Sequence, residues 1–430
     1  MTMAAADKVV VTGTGAICAA GKTPDEILDA VQAGKSAISP IQGWDASAWP
    51  TGVAGEITGV SPTALIEDRK IHKLIRRTHL LGLYAASHAI ENTGFVAHRD
   101  KLAAEAAAVF SDRTGVYVGS GGGTYQDQYE FFPLMSTGDG SLRTFGQELG
   151  ATVNPMWLLR ALPNNVLCHI GIRYGLKGPN ACITNHSVSG TLAVIEAALA
   201  LRAGEADQAV AVGHDAPIEP ESLLYYQRLG LLAADALLPF DAERSGSLMG
   251  EGAAALVLET ATAAASRQAA VLGEVLGSGY AAEGEGLLTI REDGDGLARS
   301  IVAALEDAGI HADDVGMIVA HGNGTRQSDS SEAAAIRRVF GASVPPITAF
   351  KWAFGHLLAG AGILDAVLAL RALRQRSVPG IAALRRIDPE FAGLPISADA
   401  QTPRTDVALV ISRGFAGTNA ALLLRAAPGD

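Results

Sequence analysis

Cysteine is scarce in this chain: Cys18, Cys168 and Cys182 are the three among 430 residues. They fall in no metal-ligand spacing, and an odd number makes no disulfide framework, which fits a reducing compartment. Aromatic residues make up 5%, too few for a stacking platform along a nucleic acid. Positive charge is in deficit. Lys and Arg number 33 against 45 Asp and Glu, and the net charge of −12 disfavours a phosphate backbone as the main partner. No apolar run reaches the roughly 18–20 residues that span a bilayer. The short apolar start, Val9-Val-Val11, is interrupted by Thr12-Gly-Thr-Gly15 and reads as a first core strand followed by a turn, not as a signal peptide. Cytoplasm is the expected location. Low-complexity tracts and obvious linkers are missing too.

What is present is an ordinary globular composition, 48% hydrophobic and 18% charged, with 49 glycines that favour close packing of helices on sheets. Thr23-Pro-Asp-Glu26 is a helix start, with a Thr cap, Pro in the first turn and acids behind it. Helical spacing of apolar residues covers about 70–92, with further helices over 188–203, 297–308, 330–340 and 357–375. Apolar strands are expected at 115–119, which runs into the glycines 121–123, and at 208–213, 253–258, 271–276, 315–320, 407–411 and 420–424. Strands and helices alternate, so mixed or parallel sheets covered by helices on both faces are expected. A faint internal echo relates Arg113–Gly121 to Asp314–Gly322. Each is followed by a reactive residue opening a Gly/Ala-rich helix, Ser187 in one case and His356 in the other.

Three distant segments carry chemistry: Thr184-Asn-His-Ser-Val-Ser-Gly190, His321-Gly-Asn-Gly-Thr325 and Lys351-Trp-Ala-Phe-Gly-His-Leu-Leu-Ala-Gly-Ala-Gly362. They supply a nucleophile candidate, two imidazoles and an ammonium, an inventory suited to acyl transfer through an enolate or oxyanion. Ser187 stands at a strand-to-helix elbow, where N–H groups and the helix dipole favour negative charge. Alternatively, Ser187 or Ser189 is a plain helix cap. His321 ends an apolar strand between glycines, and Asp329 and Glu332 follow as groups able to orient a neighbour. A histidine satisfied by backbone is the alternative there, and a snorkelling side chain is the alternative for Lys351.

Taken together, these segments resemble the β-ketoacyl-acyl-carrier-protein synthases of the elongating type. The resemblance runs from Val9 to about Leu424. It includes Pro239-Phe-Asp-Ala-Glu-Arg-Ser-Gly-Ser-Leu-Met-Gly-Glu-Gly252 and the loop Gly414-Phe-Ala-Gly-Thr-Asn419. It implies a thiolase-like five-layer α-β-α-β-α fold of two pseudo-symmetric halves with mixed sheets, here 1–260 and 261–430. It implies decarboxylative Claisen condensation of acyl and malonyl groups carried by acyl carrier protein, in fatty-acid or polyketide synthesis. By motif position Ser187 is the nucleophile, and His321 and His356 promote decarboxylation and hold the enolate. Lys351 supports that pair. The backbone N–H groups of Ser187 and Phe415 form the oxyanion hole, and Phe415 is the gate. No metal and no resident cofactor are implied, because phosphopantetheine arrives on the carrier. The basic stretch Arg69, Lys70, Lys73, Arg76 and Arg77 matches a carrier-docking helix, with a solvated helix face as the alternative. A homodimer, or a heterodimer with another ketosynthase-like chain, is implied.

The chain departs from the pattern. The family has Thr-Ala-Cys where Asn185-His186-Ser187 stand. A thiol of pKa about 8.5 ionises readily at a helix terminus, whereas a serine hydroxyl needs a general base, for which His356 and His186 are the candidates. Cys182, five residues upstream, reads as a small buried strand residue. Both a natural serine and an introduced Cys→Ser change are compatible with the sequence. Ala416 replaces a glycine and would stiffen the gate. Arg413 replaces an aromatic and would alter acyl-chain preference. Three functions follow: a condensing enzyme, a silent partner resembling a chain-length factor, or a decarboxylase or acyl-transfer subunit.

Overall fold

The computed structural model describes residues 7–122, 131–137 and 140–428. Residues 1–6 and Gly123, the last of the expected glycine cluster, lie outside them. Ten strands form one hydrogen-bonded ladder. They are β1 (Val9–Cys18), β2 (Thr114–Ser120), β3 (Asn180–Ile183), β4 (Gln208–Asp215), β5 (Gly252–Thr260), β6 (Gly273–Ala282), β7 (Met317–Val319), β8 (Ile347–Thr348), β9 (Val407–Gly414) and β10 (Thr418–Ala426). The first half of the chain contributes the order β1-β5-β4-β2-β3, and the second contributes β6-β10-β9-β7-β8. The second order is the first with five added to every number. The pairing repeats as well. In each half the first two neighbour pairs are antiparallel and the last two are parallel. The halves join where Val9–Val11 pairs antiparallel with Gly273–Val275.

Six principal helices make the remaining layers: α1 (Arg77–Thr93), α2 (Ser189–Arg202), α3 (Pro220–Arg228), α4 (Asp295–Ala308), α5 (Arg326–Phe340) and α6 (Ala361–Arg374). Helices α2 and α6 pack on each other and on strands of both halves, so they form the middle layer. Outside, α1 covers β1, β5 and β4, while α4 covers β6 and β10, with α5 beside it. Most strands are buried on both faces, β3 and β6 excepted, which explains their continuous runs of Val, Ile, Leu and Ala in place of strict alternation. Among the described residues no helix is long and apolar enough to cross a membrane.

Two local expectations are revised. Thr12-Gly-Thr-Gly15 is not a turn, because β1 continues through it to Cys18. Its glycines lie under α1. A Cβ on Gly15 would sit 2.1 Å from the Ala85 carbonyl oxygen, and one on Gly13 would sit 2.5 Å from that of Ala89. The glycines there serve close helix–strand approach, not a change of direction. The stretch 70–92 also divides, into a 3₁₀ turn at Ile71–Lys73 and then α1. Arg69, Lys70 and Lys73 therefore precede the helix, Arg76 caps it and Arg77 opens it.

Because backbone leaves no room at Gly15, Gly15→Ala should lower stability by about 1–3 kcal/mol, the usual cost of overpacking. Denaturant unfolding measures this, and an unchanged midpoint would show that α1 does not press on β1 as described.

Candidate active site

Beyond β3 the chain turns through His186–Val188 and enters α2 at Ser189. His186 adopts φ +48°, a left-handed conformation that a non-glycine residue holds only under constraint from its surroundings. Ser189 supplies that constraint. Its hydroxyl accepts from the Asn185 N–H at 2.7 Å and donates to the His186 carbonyl at 2.7 Å. Ser189 thus braces the turn, α2 has no side-chain cap, and the buried Ser187 hydroxyl faces the two imidazoles instead. Ser187 Oγ lies 2.8 Å from His186 Nδ1 and 3.2 Å from His356 Nε2.

His356 is delivered by the matching turn of the other half, ahead of α6. Its backbone N–H donates to the Leu248 carbonyl at 2.7 Å. Its Nδ1 accepts the Leu358 N–H at 3.2 Å, so the ring proton resides on Nε2 and points at Ser187. His321 stands edge-on to His356, with ring centroids 5.1 Å apart and planes at 77°. Its Nδ1 accepts the Arg413 N–H at 3.4 Å, which again leaves the proton on Nε2. Glycines set these distances. A Cβ on Gly190 would meet the Ala359 carbonyl oxygen at 2.3 Å, and one on Gly362 would meet Thr191 Oγ1 at 2.0 Å. The two central helices thus interlock directly behind the reactive groups.

Lys351 is fully buried, and its Nζ donates to Asp365 Oδ2 at 2.8 Å. It stands behind the histidines and does not line the cavity they share. Burial, then the Lys351 charge, hold both His321 and His356 well below the usual imidazole range. Burial raises the Asp365 carboxyl, and the Lys351 ammonium opposes that rise. Asp365 escaped the sequence reading. Its signal was a lone acid in the otherwise apolar run Ala361–Leu370, a place where an acid requires a partner.

Asp329 and Glu332 act on backbone and not on imidazole nitrogen. Glu332 accepts the N–H groups of His321 at 2.7 Å and Gly322 at 3.0 Å, and Asp329 accepts those of Phe240 at 3.0 Å and Gly324 at 3.3 Å. Burial pushes the Asp329 carboxyl up to about 7 and raises Glu332 as well. The long segment 239–252 is a brace. Arg244 is buried, donates to Asp388 Oδ2 at 2.7 Å and to Glu390, and lies 4.7 Å from the Phe391 ring. Arg413 is buried too, bonded to Asn419 Oδ1 at 2.9 Å, the Ser328 carbonyl at 2.9 Å and Ser331 Oγ at 3.0 Å.

The loop expected at 412–419 is a tight hairpin, with pairing up to Gly414 and Thr418 and only Phe415–Gly417 at its tip. Ala416 occupies φ +59°, where glycine would be unstrained. The Phe415 ring stacks on the His186 ring at 4.3 Å. His186 Nε2 lies 2.9 Å from the Tyr226 hydroxyl of α3. Ser187, His321, His356, Arg413 and Phe415 all border one cavity of about 70 Å³. A second cavity, of about 280 Å³, is bordered by Asp215, Glu219, Ser222 and Tyr225. His186, Tyr226, Leu358 and Phe415 border both, so they form the partition between the two.

Two other sequence expectations shift. Cys182 lies in β3 as expected but is only half-buried, and burial pushes its thiol up to about 11, away from thiolate chemistry. Of the basic stretch, Arg69, Lys70 and Lys73 are exposed and lie away from the cavity. Arg76 is half-buried, and Arg77 is committed to Glu251 and the Ile57 carbonyl. Neither His186 nor Tyr226 stood out as a principal site residue in the sequence. The only signal was the exchange of a small residue for histidine beside Ser187.

Comparison with known proteins addresses the whole of this architecture. The family model for the beta-ketoacyl synthase N-terminal domain matches residues 6–264, and that for the C-terminal domain matches 272–385. A 3-oxoacyl-[acyl-carrier-protein] synthase 2 from Coxiella burnetii is 29% identical, with 97% of this chain and 98% of that protein aligned. The solved ishigamide ketosynthase/chain length factor superposes with a TM-score of 0.84 at 28% identity, over 98% of this chain and 100% of that one. A type II polyketide acyl-carrier protein in complex with its ketosynthase, bound to the hexaketide, superposes with a TM-score of 0.82 at 25% identity, over 98% and 99%. The repeated strand order is therefore the thiolase-like five-layer fold, and a chain matched along nearly its full length by both domains belongs to the β-ketoacyl synthase family.

Proposed function

We propose that Ser187 accepts an acyl group from the phosphopantetheine thioester of a carrier protein and passes it to the enolate of a decarboxylated malonyl group. The product is a 3-oxoacyl thioester. One observation carries this reading: a buried nucleophile faces the Nε2–H of His356, with His321 bordering the same cavity. Loss of carbon dioxide from a malonyl thioester leaves its electron pair on the thioester oxygen. Two neutral imidazoles presenting N–H groups hold that oxygen without first having to lose a proton. Their depressed pKa values keep them neutral at physiological pH, and the Lys351 ammonium behind them adds positive potential. The backbone N–H groups of Ser187 and Phe415 are assigned to the oxyanion of the acyl-transfer steps. The enolate carbon then attacks the seryl ester, the bond to Ser187 Oγ breaks, and Oγ regains a proton from solvent. Phosphopantetheine is supplied by the carrier, and the chain needs no cofactor of its own.

A second reading, a non-condensing partner subunit like a chain-length factor, draws on the serine itself and on the small cavity. At about 70 Å³ the space beside Ser187 is small next to the roughly 280 Å³ of the second cavity. A third, a decarboxylase or acyl-transfer subunit, keeps the histidines and omits condensation. Carrier docking is assigned to Arg69, Lys70 and Lys73, whose exposed charge suits an acidic partner. The edge of β3 ends the ladder, and Leu142, Trp157, Leu158 and Ile172 are exposed apolar residues of the same half. We assign that face to a second ketosynthase-like chain, identical or not.

With malonyl-carrier and acyl-carrier as substrates, the unmodified chain should condense. Ser187→Ala should abolish product, and His321→Ala should slow carbon dioxide release about a hundredfold or more. Carbon dioxide without product points instead to the third reading, and activity only after adding another synthase-like chain points to the second. Reversing Arg69, Lys70 and Lys73 to Glu should weaken carrier binding about tenfold or more, an effect that salt diminishes. Equal affinity for both forms would remove that docking site. In sedimentation, the chain should run as a dimer alone or with its partner chain, and Trp157→Glu with Leu158→Glu should dissociate it. A monomer under all these conditions would refute the assigned face.

A further inference from the structure

The hydrogen bonds around Ser187 run in one direction only. His356 Nδ1 is occupied by the Leu358 N–H, so its Nε2 is a donor and offers no lone pair to the serine hydroxyl. The hydroxyl proton therefore goes to its other neighbour, His186 Nδ1, at 2.8 Å. With Nδ1 accepting, the neutral His186 ring carries its proton on Nε2, which donates to the Tyr226 hydroxyl at 2.9 Å. Stacking on Phe415 and the φ of +48° fix the ring in this orientation. Of the two bases that the sequence offered, the bonding pattern excludes His356 and retains His186.

We propose that His186 is the general base that activates Ser187, with Tyr226 as the residue that positions it. This deepens the acyl-transfer reading above and rests on it. As Ser187 Oγ attacks the carrier thioester, the O–H proton passes to His186 Nδ1 and the new C–O bond forms. The tetrahedral oxyanion collapses, the C–S bond breaks, and the pantetheine sulfur leaves with the proton from Nδ1. Acyl-Ser187, free pantetheine thiol and neutral His186 result, with no other reactant needed. His356 remains a donor throughout, and the charge developing on the carbonyl oxygen falls to the backbone N–H groups of Ser187 and Phe415 assigned above. An alanine here, as in the family pattern, suits a thiolate nucleophile that needs no base, and the histidine accompanies the change to serine.

The titratable and charged groups around His186 are Ser187 and Tyr226 in direct contact, His321, His356 and Arg413 across the first cavity, and Asp215, Glu219 and Tyr225 bordering the second. Burial lowers the His186 imidazole to about 4. The base is thus already neutral above that pH. Acylation should stay level between about pH 5 and 8 as far as this group is concerned, and fall as pH drops through about 4. A base this weak places the expected gain near the lower end of the usual range, about a hundredfold.

The test measures covalent acylation by intact mass, using an acyl-pantetheine thioester as probe. Four forms are compared: the unmodified chain, His186→Asn, Ser187→Cys and the double variant. Asparagine tolerates the positive φ, so the elbow survives. His186→Asn should slow acylation of Ser187 about a hundredfold, and the double variant should acylate as fast as Ser187→Cys, because a thiolate dispenses with the base. That rescue also shows that the His186→Asn fold is intact. Tyr226→Phe should slow the serine reaction and leave the cysteine reaction unchanged. Equal rates for the unmodified chain and His186→Asn would overturn the proposal. So would a double variant as impaired as His186→Asn alone, which would indicate a structural role. An unmodified chain that stays unacylated while Ser187→Cys acylates also overturns it. Failure of Ser187→Cys as well would instead refute the acyl-transfer reading beneath it.

Discussion

An ammonium is sealed inside this protein. Lys351 and Asp365 pair at 2.8 Å where neither meets water, and each would be untenable alone. Desolvating two charges costs several kcal/mol apiece, and good geometry recovers that only while both partners stay. Much of the site depends on this arrangement. The Lys351 charge adds to the burial that keeps His321 and His356 neutral. Neutral rings with Nδ1 already bonded to backbone have a single polar direction left, Nε2–H. The site therefore receives two fixed donors, neither of which can pick up a proton and turn into a competing acid.

Around that pair the polar groups divide by task. Carboxylates hold backbone: Glu332 takes two N–H groups of the His321 loop, and Asp329 takes those of Phe240 and Gly324. Guanidinium groups hold loops together, Arg244 from the 239–252 segment and Arg413 at the root of the hairpin. The reacting atoms are left to hydroxyl and imidazole. This separation explains why acidic residues with strongly raised pKa values sit so near the site without serving as its acids.

Much of the fold was legible, because most of the buried strands in this architecture read as continuous apolar runs. Repetition was legible only faintly. The echo between 113–121 and 314–322 is a trace of a strand order that repeats in full, but backbone order leaves little mark on side chains. The glycines at 13 and 15 misled because a close approach between elements 70 residues apart looks, in one dimension, like a turn. In the site, Ser187, His321, His356 and Lys351 were found through motif resemblance. Asp365 and Tyr226 were not, since each depends on a partner distant in sequence, and the choice between His186 and His356 as base depends on which ring nitrogen is already occupied. In the basic stretch, charge seen in sequence does not show that Glu251 already holds Arg77.

The interlocked glycines Gly190 and Gly362 give the two halves a shared ruler. Each reactive turn is the opening of a central helix, and the helices meet backbone to side chain with no intervening methyl group. The spacing between the Ser187 and His356 turns is therefore set in part by this direct contact. A side chain added at either glycine would wedge the two turns apart, so these two positions tie both halves to one spacing.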